Sequence, residues 1–346
     1  MRRAGLVGVG AVALNGHLPG WLARKDVQIV AATDEREEAR VALEDQVPGV
    51  SWFSSFEEMV SSGDLDFVDV ATPPSTHCTI VRSALEKGLH VLCEKPLVTC
   101  AADVPRLAAL ARERARALVT VHNWKNAPVL AKLAGLVQEG AVGGVTRAVW
   151  KTLRTKPALT VGTGDNWRID PAVAGGGVLV DHGWHALYVL LGWLPEAPKR
   201  VSAVLETRKH KGSPLEDTAT VRLEGPGWTA EIFLTWAAEE RANHVDVGGT
   251  RGRLRLDGGR LALYQTPSSL RSPSGPAGSW ALPSLAEGSH HPEWFAGVIE
   301  EFLGEIEDPQ KRGSNIHEAA LCAEIIDLAK ESSRRGGDAL DLRGLL

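Results

Sequence analysis

The run Gly8-Val9-Gly10-Ala11-Val12-Ala13 has the spacing of a turn that can hold a pyrophosphate. In the pattern G-x-G-x-x-A, the glycines permit a tight turn and let backbone N–H groups approach phosphates, while the small last residue allows helix and strand to pack closely. An apolar strand at 5–10 precedes the turn and a helix follows it, as a dinucleotide-binding turn requires. We therefore predict that a dinucleotide cofactor is bound by Gly8, Gly10, Ala11, Val12 and Ala13.

Asp34 lies 21 residues after Ala13, at the end of the second predicted strand. A carboxylate there accepts hydrogen bonds from the adenosine ribose diol and repels a 2′-phosphate. Such a charge-assisted hydrogen bond contributes about 1.5–3 kcal/mol, so NAD is predicted as the cofactor and NADP is less favoured. Two alternatives stay open, because Arg36 could accept a phosphate and Asp34 could instead cap a helix.

Lys95 follows the fourth predicted strand in the run Cys93-Glu94-Lys95-Pro96. A residue at the carboxyl end of a parallel strand faces the crevice where ligands bind, and the proline pushes the residue before it toward an extended conformation. Lys95 would then be a cation near the nicotinamide, able to hydrogen-bond a substrate oxygen as charge develops on it. The alternative is an exposed Glu-Lys pair with no catalytic role. Cys93 is predicted to be a small buried residue at the strand end.

Asp181 and His185 are four residues apart in a segment that the glycines at 175–177 are expected to open as a helix. Positions i and i+4 lie on one helical face. Histidine titrates near neutrality, so His185 could take a hydroxyl proton during oxidation or return it during reduction. Asp181 would orient the imidazole or bind a neighbouring hydroxyl. The alternative is a buried histidine capped by an aspartate.

Two patterns of elements surround these residues. In the first 120 residues, apolar strands are predicted at 5–10, 27–32, 67–71, 90–93 and 117–121, and helices at 35–46, 77–87 and 101–116. This alternation predicts a parallel sheet. Beyond residue 145, strands joined by short turns predict an antiparallel sheet; they are expected at 145–154, 200–207, 218–223, 229–236 and 252–256. Residues 266–289 are expected to form an irregular loop and 315–334 a final helix.

Composition excludes several classes of protein. Of 346 residues, 44% are hydrophobic and 23% charged, which is ordinary globular usage and argues against intrinsic disorder. The net charge of −5 gives no general footprint for nucleic-acid binding. We predict no membrane span, and we interpret the N-terminus as mature sequence. The four cysteines show neither a CxxC pair nor metal-ligand spacing, which favours reduced thiols, a cytoplasmic protein and no metal.

Five motifs in order resemble those of the glucose–fructose oxidoreductase/inositol dehydrogenase (Gfo/Idh/MocA) family, over nearly the whole chain. They are the segments 8–13, 71–77 (Ala-Thr-Pro-Pro-Ser-Thr-His), 94–96, 166–171 and 175–185. The resemblance implies an NAD(P)-dependent dehydrogenase that acts on a sugar, cyclitol or related polyol and forms a homodimer or homotetramer. Its catalytic lysine falls on Lys95, and its aspartate and histidine fall on Asp181 and His185.

The resemblance also implies further site residues and a domain organisation. Cofactor contacts are implied for Thr72, Pro73, His77, Glu94, Lys95, Asn123, Trp167 and Arg168, and substrate contacts for Lys95, Trp124, Lys125, Trp167, Asp181, His182 and His185. The expected fold is a Rossmann-type α/β domain with a parallel sheet plus an α+β domain with a largely antiparallel open sheet. The expected division is a dinucleotide-binding domain at 1–122, a substrate-binding and oligomerisation domain at 123–314, and a C-terminal helix at 315–346 that packs back toward the N-terminal domain.

Three positions depart from the family pattern. Tyr188 stands three residues beyond His185, where the family often has an acid. Lys125 closes a segment that commonly reads Asn-x-Arg, so a cation remains but the planar fork of arginine is lost. His182 occupies a position where an apolar residue is frequent. The substrate specificity of any one member is therefore not expected to carry over.

The leading functional hypothesis is reversible oxidation of a secondary alcohol on a polyol ring, with the hydride passing to NAD. Two other functions stay open from the sequence. One is a non-catalytic sensor that binds the dinucleotide and regulates a protein partner. The other is an enzyme that keeps NAD tightly bound and uses transient oxidation for epimerisation or elimination.

Overall fold

The structure is a computed structural model that describes residues 1–62, 64–158, 166–265, 275–288 and 290–346. The chain divides into two compact units. The first unit comprises Met1–Asn123, Ser289–Ala323 and Leu345–Leu346, and the second comprises Trp124–Gly288 and Glu324–Gly344.

Within the described residues the chain forms fifteen strands and ten α-helices. The strands are β1 (Arg2–Val7), β2 (Val27–Thr33), β3 (Ser51–Phe53), β4 (Phe67–Val70), β5 (His90–Cys93), β6 (Leu118–Thr120), β7 (Val145–Leu153), β8 (Arg200–Glu206), β9 (Thr218–Gly225), β10 (Trp228–Thr235), β11 (Ala242–Gly249), β12 (Gly252–Asp257), β13 (Arg260–Gln265), β14 (Gly278–Ala281) and β15 (Leu340–Asp341). The helices are α1 (Leu18–Leu22), α2 (Glu38–Glu44), α3 (Phe56–Ser61), α4 (Pro74–Glu86), α5 (Val104–Glu113), α6 (Pro128–Gln138), α7 (Pro171–Ala174), α8 (Trp184–Leu191), α9 (Pro292–Glu307) and α10 (Ser314–Arg334).

The first unit contains a six-stranded parallel sheet in the order β3-β2-β1-β4-β5-β6. The parallel Rossmann-type sheet predicted from the sequence is thereby confirmed. The strand order changes direction between β1 and β4. In open α/β sheets of this kind, ligands bind at that point, outside the carboxyl ends of the strands.

An aromatic cluster packs beneath this sheet. Phe295 and Phe302 of α9 lie on one helical face and contact Trp21 of α1, with ring centroids 5.9 and 6.4 Å from it. Phe67 of β4 lies 5.1 Å from both Trp21 and Phe302. The sequence analysis missed α9, although its apolar residues recur at helical spacing and Pro292 stands at its first turn.

The second unit is built on a nine-stranded sheet in the order β14-β13-β12-β11-β7-β10-β9-β8-β15. Every neighbouring pair is antiparallel except β7 and β10, which are parallel. A largely antiparallel second sheet is therefore confirmed. The segment between β7 and β10 contains α8, β8 and β9, and such a crossover lets the two strands run in the same direction.

Several local predictions differ from the structure. The irregular loop expected at 266–289 is wrong at β14, because that strand pairs with β13; residues 266–274 and 289 lie outside the described residues. The helix expected at 35–46 is shorter, since α2 begins only after Glu37. The edge strand β3, the strands β11 and β13, and the helix α6 were not predicted.

Truncation of the aromatic cluster should destabilise the first unit. Phe302 is fully buried, and replacing a buried phenylalanine by alanine typically costs about 3–5 kcal/mol. We expect Phe302→Ala to lower the urea midpoint of unfolding, followed by tryptophan fluorescence. Val41→Ala is the control, because Val41 is 62% exposed and such a change costs at most about 0.5 kcal/mol. Equal midpoints for the two variants would contradict this account of the core.

Candidate active site

The glycine turn is pressed against the segment that follows β4. Gly8 has φ +86°, and a Cβ atom at this position would lie 2.8 Å from the carbonyl carbon of Ala71 and from the amide nitrogen of Thr72. Both the conformation and the space therefore require glycine. After the turn the chain enters a π-helical turn, Ala13–His17, that leads into α1. The bare backbone at Gly8 forms a cradle of the shape that a pyrophosphate needs.

Asp34 braces this turn from the end of β2. Its Oδ2 accepts the Val9 N–H at 2.7 Å, and its Oδ1 accepts the Arg36 N–H at 2.9 Å. The Arg36 guanidinium also contacts both carboxylate oxygens, at 3.0 and 3.1 Å, and this hydrogen bonding raises the pKa of Arg36. Asp34 is not a helix cap, because the N-cap of α2 is Glu37. A ribose diol would have to share the carboxylate with Arg36 or displace it.

His77 joins two of the predicted motifs. Its side chain is fully buried, with Nδ1 2.8 Å from the Pro96 carbonyl and Nε2 2.8 Å from the Thr72 carbonyl. Burial lowers the pKa of His77 despite the two carbonyls. Beside it, the Thr76 hydroxyl donates to the Thr72 hydroxyl at 2.7 Å or to the Pro73 carbonyl at 2.8 Å. His77 therefore bears on a cofactor only through the position of these two segments.

Glu94 and Lys95 lie where β5 ends. The Oε2 of Glu94 accepts the Lys95 N–H at 2.9 Å, and its Oε1 lies 3.0 Å from Nε2 of His17. Cys93 is fully buried at the strand end, as predicted. The carboxyl ends of parallel strands share one edge, so the structure brings Gly8, Asp34, Thr72 and Lys95 to the same edge of the first sheet. Asn123 follows β6, three residues beyond the strand.

In the second unit, Asp181 belongs to a π-helical turn, Leu179–Gly183, that leads directly into α8. The helical segment begins after these glycines, as predicted. Glycine is required at position 177, because a Cβ atom there would lie 2.0 Å from the Glu216 carbonyl oxygen. The sequence analysis placed Asp181 and His185 on one face by assuming α-helical spacing. This turn is wider than an α-helix, since its hydrogen bonds join residue i to residue i+5. Turns of this type are frequent at functional sites, and here one follows each glycine motif.

His185 is held by Tyr188 and Trp124. Its Nδ1 lies 2.8 Å from the Tyr188 hydroxyl, and its ring stacks on Trp124 with centroids 4.5 Å apart. The same hydroxyl accepts the Trp124 N–H at 3.0 Å, and Nζ of Lys125 lies 6.0 Å from the centroid of the Tyr188 ring. The departure from the family pattern at position 188 therefore supplies the partner of the imidazole.

The second unit contains a buried arginine, Arg154, that the sequence analysis missed and whose charge interacts with that of Asp181. Arg154 is 5% exposed; burial, together with Arg241, lowers its pKa to about 10, whereas the charge of Asp181 acts in the opposite direction. The guanidinium donates to the Ala242 carbonyl at 3.1 Å and to Asn243 Oδ1 at 3.0 Å. His182 lies beside Asp181, with Nε2 3.7 Å from Oδ2. The sequence gives no sign of this interaction, because Arg154 stands at the end of a predicted strand and belongs to none of the motifs.

The remaining predicted residues lie in the second unit. Trp167 and Arg168 form a short helical turn in which the guanidinium lies 4.3 Å from the centroid of the indole ring; residues 159–165, which precede it, are outside the described residues. A depression of about 890 Å³ on the second unit is lined by Leu153, Thr155, Arg208, Lys209, Phe233, Thr235, Ala237, Ala238 and Glu239. That lining contains no residue of the predicted site.

Within the described part of the chain, no helix is long and apolar enough to cross a membrane. No group of three or more His, Cys, Asp or Glu side chains there is arranged to hold a metal ion.

Comparisons with known proteins give a consistent result. Residues 2–122 match the oxidoreductase family with an NAD-binding Rossmann fold, Gfo/Idh/MocA, and residues 130–255 match the Gfo/Idh/MocA C-terminal domain. The dTDP-3,4-didehydro-2,6-dideoxy-alpha-D-glucose 3-reductase of Streptomyces antibioticus is 31% identical over 261 residues, which cover 74% of this chain and 75% of that protein.

The chain is also similar to a second bacterial oxidoreductase and to a solved structure. An uncharacterized oxidoreductase of Bacillus subtilis is 29% identical over 189 residues, which is 51% of this chain and about half (48%) of that protein. The crystal structure of GenD2 from gentamicin A biosynthesis, in complex with NAD, has a TM-score of 0.82 at 23% identity and covers 99% of this chain and 96% of that chain. The structural likeness shows a shared fold.

Substitution of Gly8 should remove dinucleotide binding. Gly8→Ala introduces the contact with Ala71 and Thr72 and also a φ that costs an L-residue about 1–2 kcal/mol. Gly49→Ala is a matched control, because Gly49 has φ +81° with no atom near its Cβ position. We expect NADH affinity, measured by fluorescence titration, to fall at least about tenfold for Gly8→Ala only. Equal affinities of the two variants would contradict the assignment of the turn.

Proposed function

Because the chain belongs to the Gfo/Idh/MocA family of oxidoreductases, we propose that it transfers a hydride between a nicotinamide and a secondary alcohol or ketone of a sugar, cyclitol or related polyol. The observation that carries this proposal is the position of Lys95 at the carboxyl end of β5, on the sheet edge shared with the glycine turn. The sugar reductase activity in the name of the Streptomyces relative supports the substrate class.

The cofactor is NAD in this proposal. The backbone from Gly8 to Ala13 would hold the pyrophosphate, and Asp34 would accept hydrogen bonds from the adenosine ribose. Thr72, Pro73, Glu94, Asn123, Trp167 and Arg168 are the other proposed contacts, with His77 acting through the segments that it joins. When bound, the nicotinamide supplies or accepts the hydride, and the protein positions the reacting carbon and manages one proton.

Lys95 and His185 have different roles at the substrate hydroxyl group that reacts. The Lys95 ammonium hydrogen-bonds the substrate oxygen on which charge develops during hydride transfer. The His185 imidazole takes the hydroxyl proton in oxidation and returns it in reduction. Asp181 binds a neighbouring hydroxyl group of the substrate.

Substrate selectivity is assigned to the residues around His185. Trp124 offers an apolar ring that can stack on a sugar face, while Lys125, Trp167 and His182 add polar contacts. Tyr188, which stands where the family often has an acid, completes this set, because its hydroxyl lies 2.8 Å from Nδ1 of His185.

Association and location stay predictions. A homodimer or homotetramer, formed through the second sheet, was expected if one face of that sheet is apolar. The exposed face of β12 carries Arg253, Arg255 and Asp257, so any interface there would be polar. A cytoplasmic location rests on the cysteine content alone.

Lys95→Ala tests the catalytic assignment. We expect turnover to fall at least about 100-fold, the usual scale for a group that handles a proton, while NADH affinity changes little. The assay follows the absorbance of reduced nicotinamide over a panel of sugars, inositols, amino-cyclitols and sugar acids. Lys87→Ala, a lysine just before β5 and outside the proposed site, is the control. Full activity of Lys95→Ala on the best substrate would remove Lys95 from the mechanism.

The same panel discriminates the alternatives. NADH binding by the wild type with no turnover of any compound, together with a co-purifying protein, would indicate a sensor. Conversion of a substrate without net release of NADH would indicate epimerisation or elimination with recycled cofactor.

Asp34 and Arg36 should set the preference between NAD and NADP. Asp34→Ala removes the carboxylate that repels a 2′-phosphate and releases Arg36 to bind one. We expect the ratio of kcat/KM for NAD to kcat/KM for NADP to fall at least about tenfold, since one such interaction contributes about 1.5–3 kcal/mol. Arg36→Ala should change the ratio in the opposite direction. An unchanged ratio in both variants would show that other groups select the cofactor.

A further inference from the structure

A buried charge cluster joins Glu94 of the lysine motif to two side chains that have no role in the proposed reaction. It consists of His17, Asp69 and Glu94, and we call it the His17 cluster. Nδ1 of His17 lies 3.0 Å from both carboxylate oxygens of Asp69, and Nε2 lies 3.0 Å from Oε1 of Glu94. His17 is 2% exposed and Asp69 1%. The imidazole also stacks on Phe295, with ring centroids 4.1 Å apart.

The geometry favours a proton on both ring nitrogens of His17, because each nitrogen faces a carboxylate oxygen. A neutral imidazole has one N–H, so one of its nitrogens would turn a lone pair toward a carboxylate oxygen. The imidazolium donates at both ends and neutralises part of the buried negative charge. Burial alone would lower the pKa of His17, but Asp69 and Glu94 outweigh it and raise the pKa from 6.5 to about 10.

Each carboxylate of the cluster has a second partner that defines its task. Asp69, in β4, also accepts the Trp21 indole N–H at 2.7 Å, so its side of the cluster ties α1 to the sheet. Glu94 accepts the backbone N–H of Lys95 at 2.9 Å through Oε2, so this carboxylate connects the cluster to the main chain of Lys95. Burial alone would raise the pKa of Glu94, but the hydrogen bond and charge of His17, together with the charge and backbone N–H of Lys95, outweigh it and lower this pKa.

We propose that His17 is a positioning residue: as a permanent cation it fixes the Glu94 carboxylate, which in turn holds the main chain of Lys95 at the carboxyl end of β5. This inference rests on the proposed catalytic role of Lys95. It assigns Glu94 chiefly to this support, because both of its oxygens already face protein donors. His17 also follows the glycine turn directly, so one charged side chain connects the proposed pyrophosphate segment with the lysine motif.

The charge of His17 can be measured without an activity assay. In protein with 15N-labelled histidine, we expect both His17 ring nitrogens to keep imidazolium chemical shifts from pH 6.5 to pH 9, with the signals assigned by their loss in His17→Gln. Titration near the ordinary pKa of 6.5 would overturn the proposal. The charged groups that face His17 are Asp69 from β4 and Glu94 after β5, while α9 presents only the ring of Phe295.

Stability should follow the same proton. Because the pKa of His17 is raised in the folded state, its contribution to stability is fully present below pH 6.5 and is lost as the pH rises toward about 10. The difference in urea midpoint between wild type and His17→Gln should therefore shrink over that interval. A difference that stays constant from pH 6.5 to 10 would contradict a charged His17.

Hydrogen exchange reports the support of Lys95. In His17→Gln, we expect the peptide that contains Lys95 to exchange its amide hydrogens at least about tenfold faster, because the acceptor of the Lys95 N–H is no longer fixed. His90→Gln is the matched control: His90 also lies on β5, at the opposite end, where its Nδ1 accepts the Ala117 N–H at 2.9 Å. Unchanged exchange in His17→Gln, or equal acceleration in both variants, would overturn the positioning role.

Kinetics then connect the cluster to the reaction. We expect His17→Gln and Glu94→Gln each to lower kcat at least about tenfold, since small misplacement of a reacting group is costly. In His17→Gln, NADH affinity should stay within about threefold of wild type. The double variant should be no worse than the poorer single variant. Additive losses, or an unchanged kcat with lowered stability, would reduce His17 to a structural residue. If wild type turns over no panel compound, the proposed function fails, while the 15N and exchange results still judge the cluster.

Discussion

Crowding of the backbone where β1 and β4 lie side by side constrains the whole carboxyl edge of the parallel sheet. Only a hydrogen atom fits at position 8, so the glycine turn is in contact with the segment Ala71–Thr72. The His77 ring lies between the Thr72 and Pro96 carbonyls, with one ring nitrogen 2.8 Å from each oxygen. The glycine turn, the segment after β4 and the lysine motif are therefore positioned by direct contacts on a rigid scaffold, which is where binding loops are usually found.

The two units surround their buried histidines in different ways, and the difference matters chemically. His17 lies between two carboxylates, which keep its proton in place over the physiological pH range. His185 contacts a tyrosine hydroxyl and an indole ring. General acid–base chemistry needs a group that exchanges its proton, and that is the role proposed for His185. The two carboxylates suit His17 to support.

Much of the architecture was predictable because its signals are local. Each strand of the first sheet except β3 contains a short apolar run, and the β5 prediction at 90–93 agrees residue for residue. Elements were missed where burial is one-sided or where the element is short: β3 has three residues, and β14 lies in a segment rich in Pro, Ser and Gly. The helix α9 was missed despite a clear helical period. The two π-helical turns have no sequence signature, because one extra residue per turn leaves composition unchanged.

The sequence alone determined the order of the motifs, the parallel and antiparallel sheets, and the assignment to an oxidoreductase family. Only the tertiary structure decided which side chains share each site. His17 meets Asp69 and Glu94 across 52 and 77 residues of chain, Arg36 covers the carboxylate of Asp34, and Arg154 donates to Asn243 across 89 residues. Motif residues can be identified in a sequence because a turn or a helix allows only certain residue types at certain positions, and these positions recur at a fixed spacing. Partners that are distant along the chain are brought together by packing and by the need of each buried charge for a counter-charge. The spacing of residues in the sequence shows neither of these.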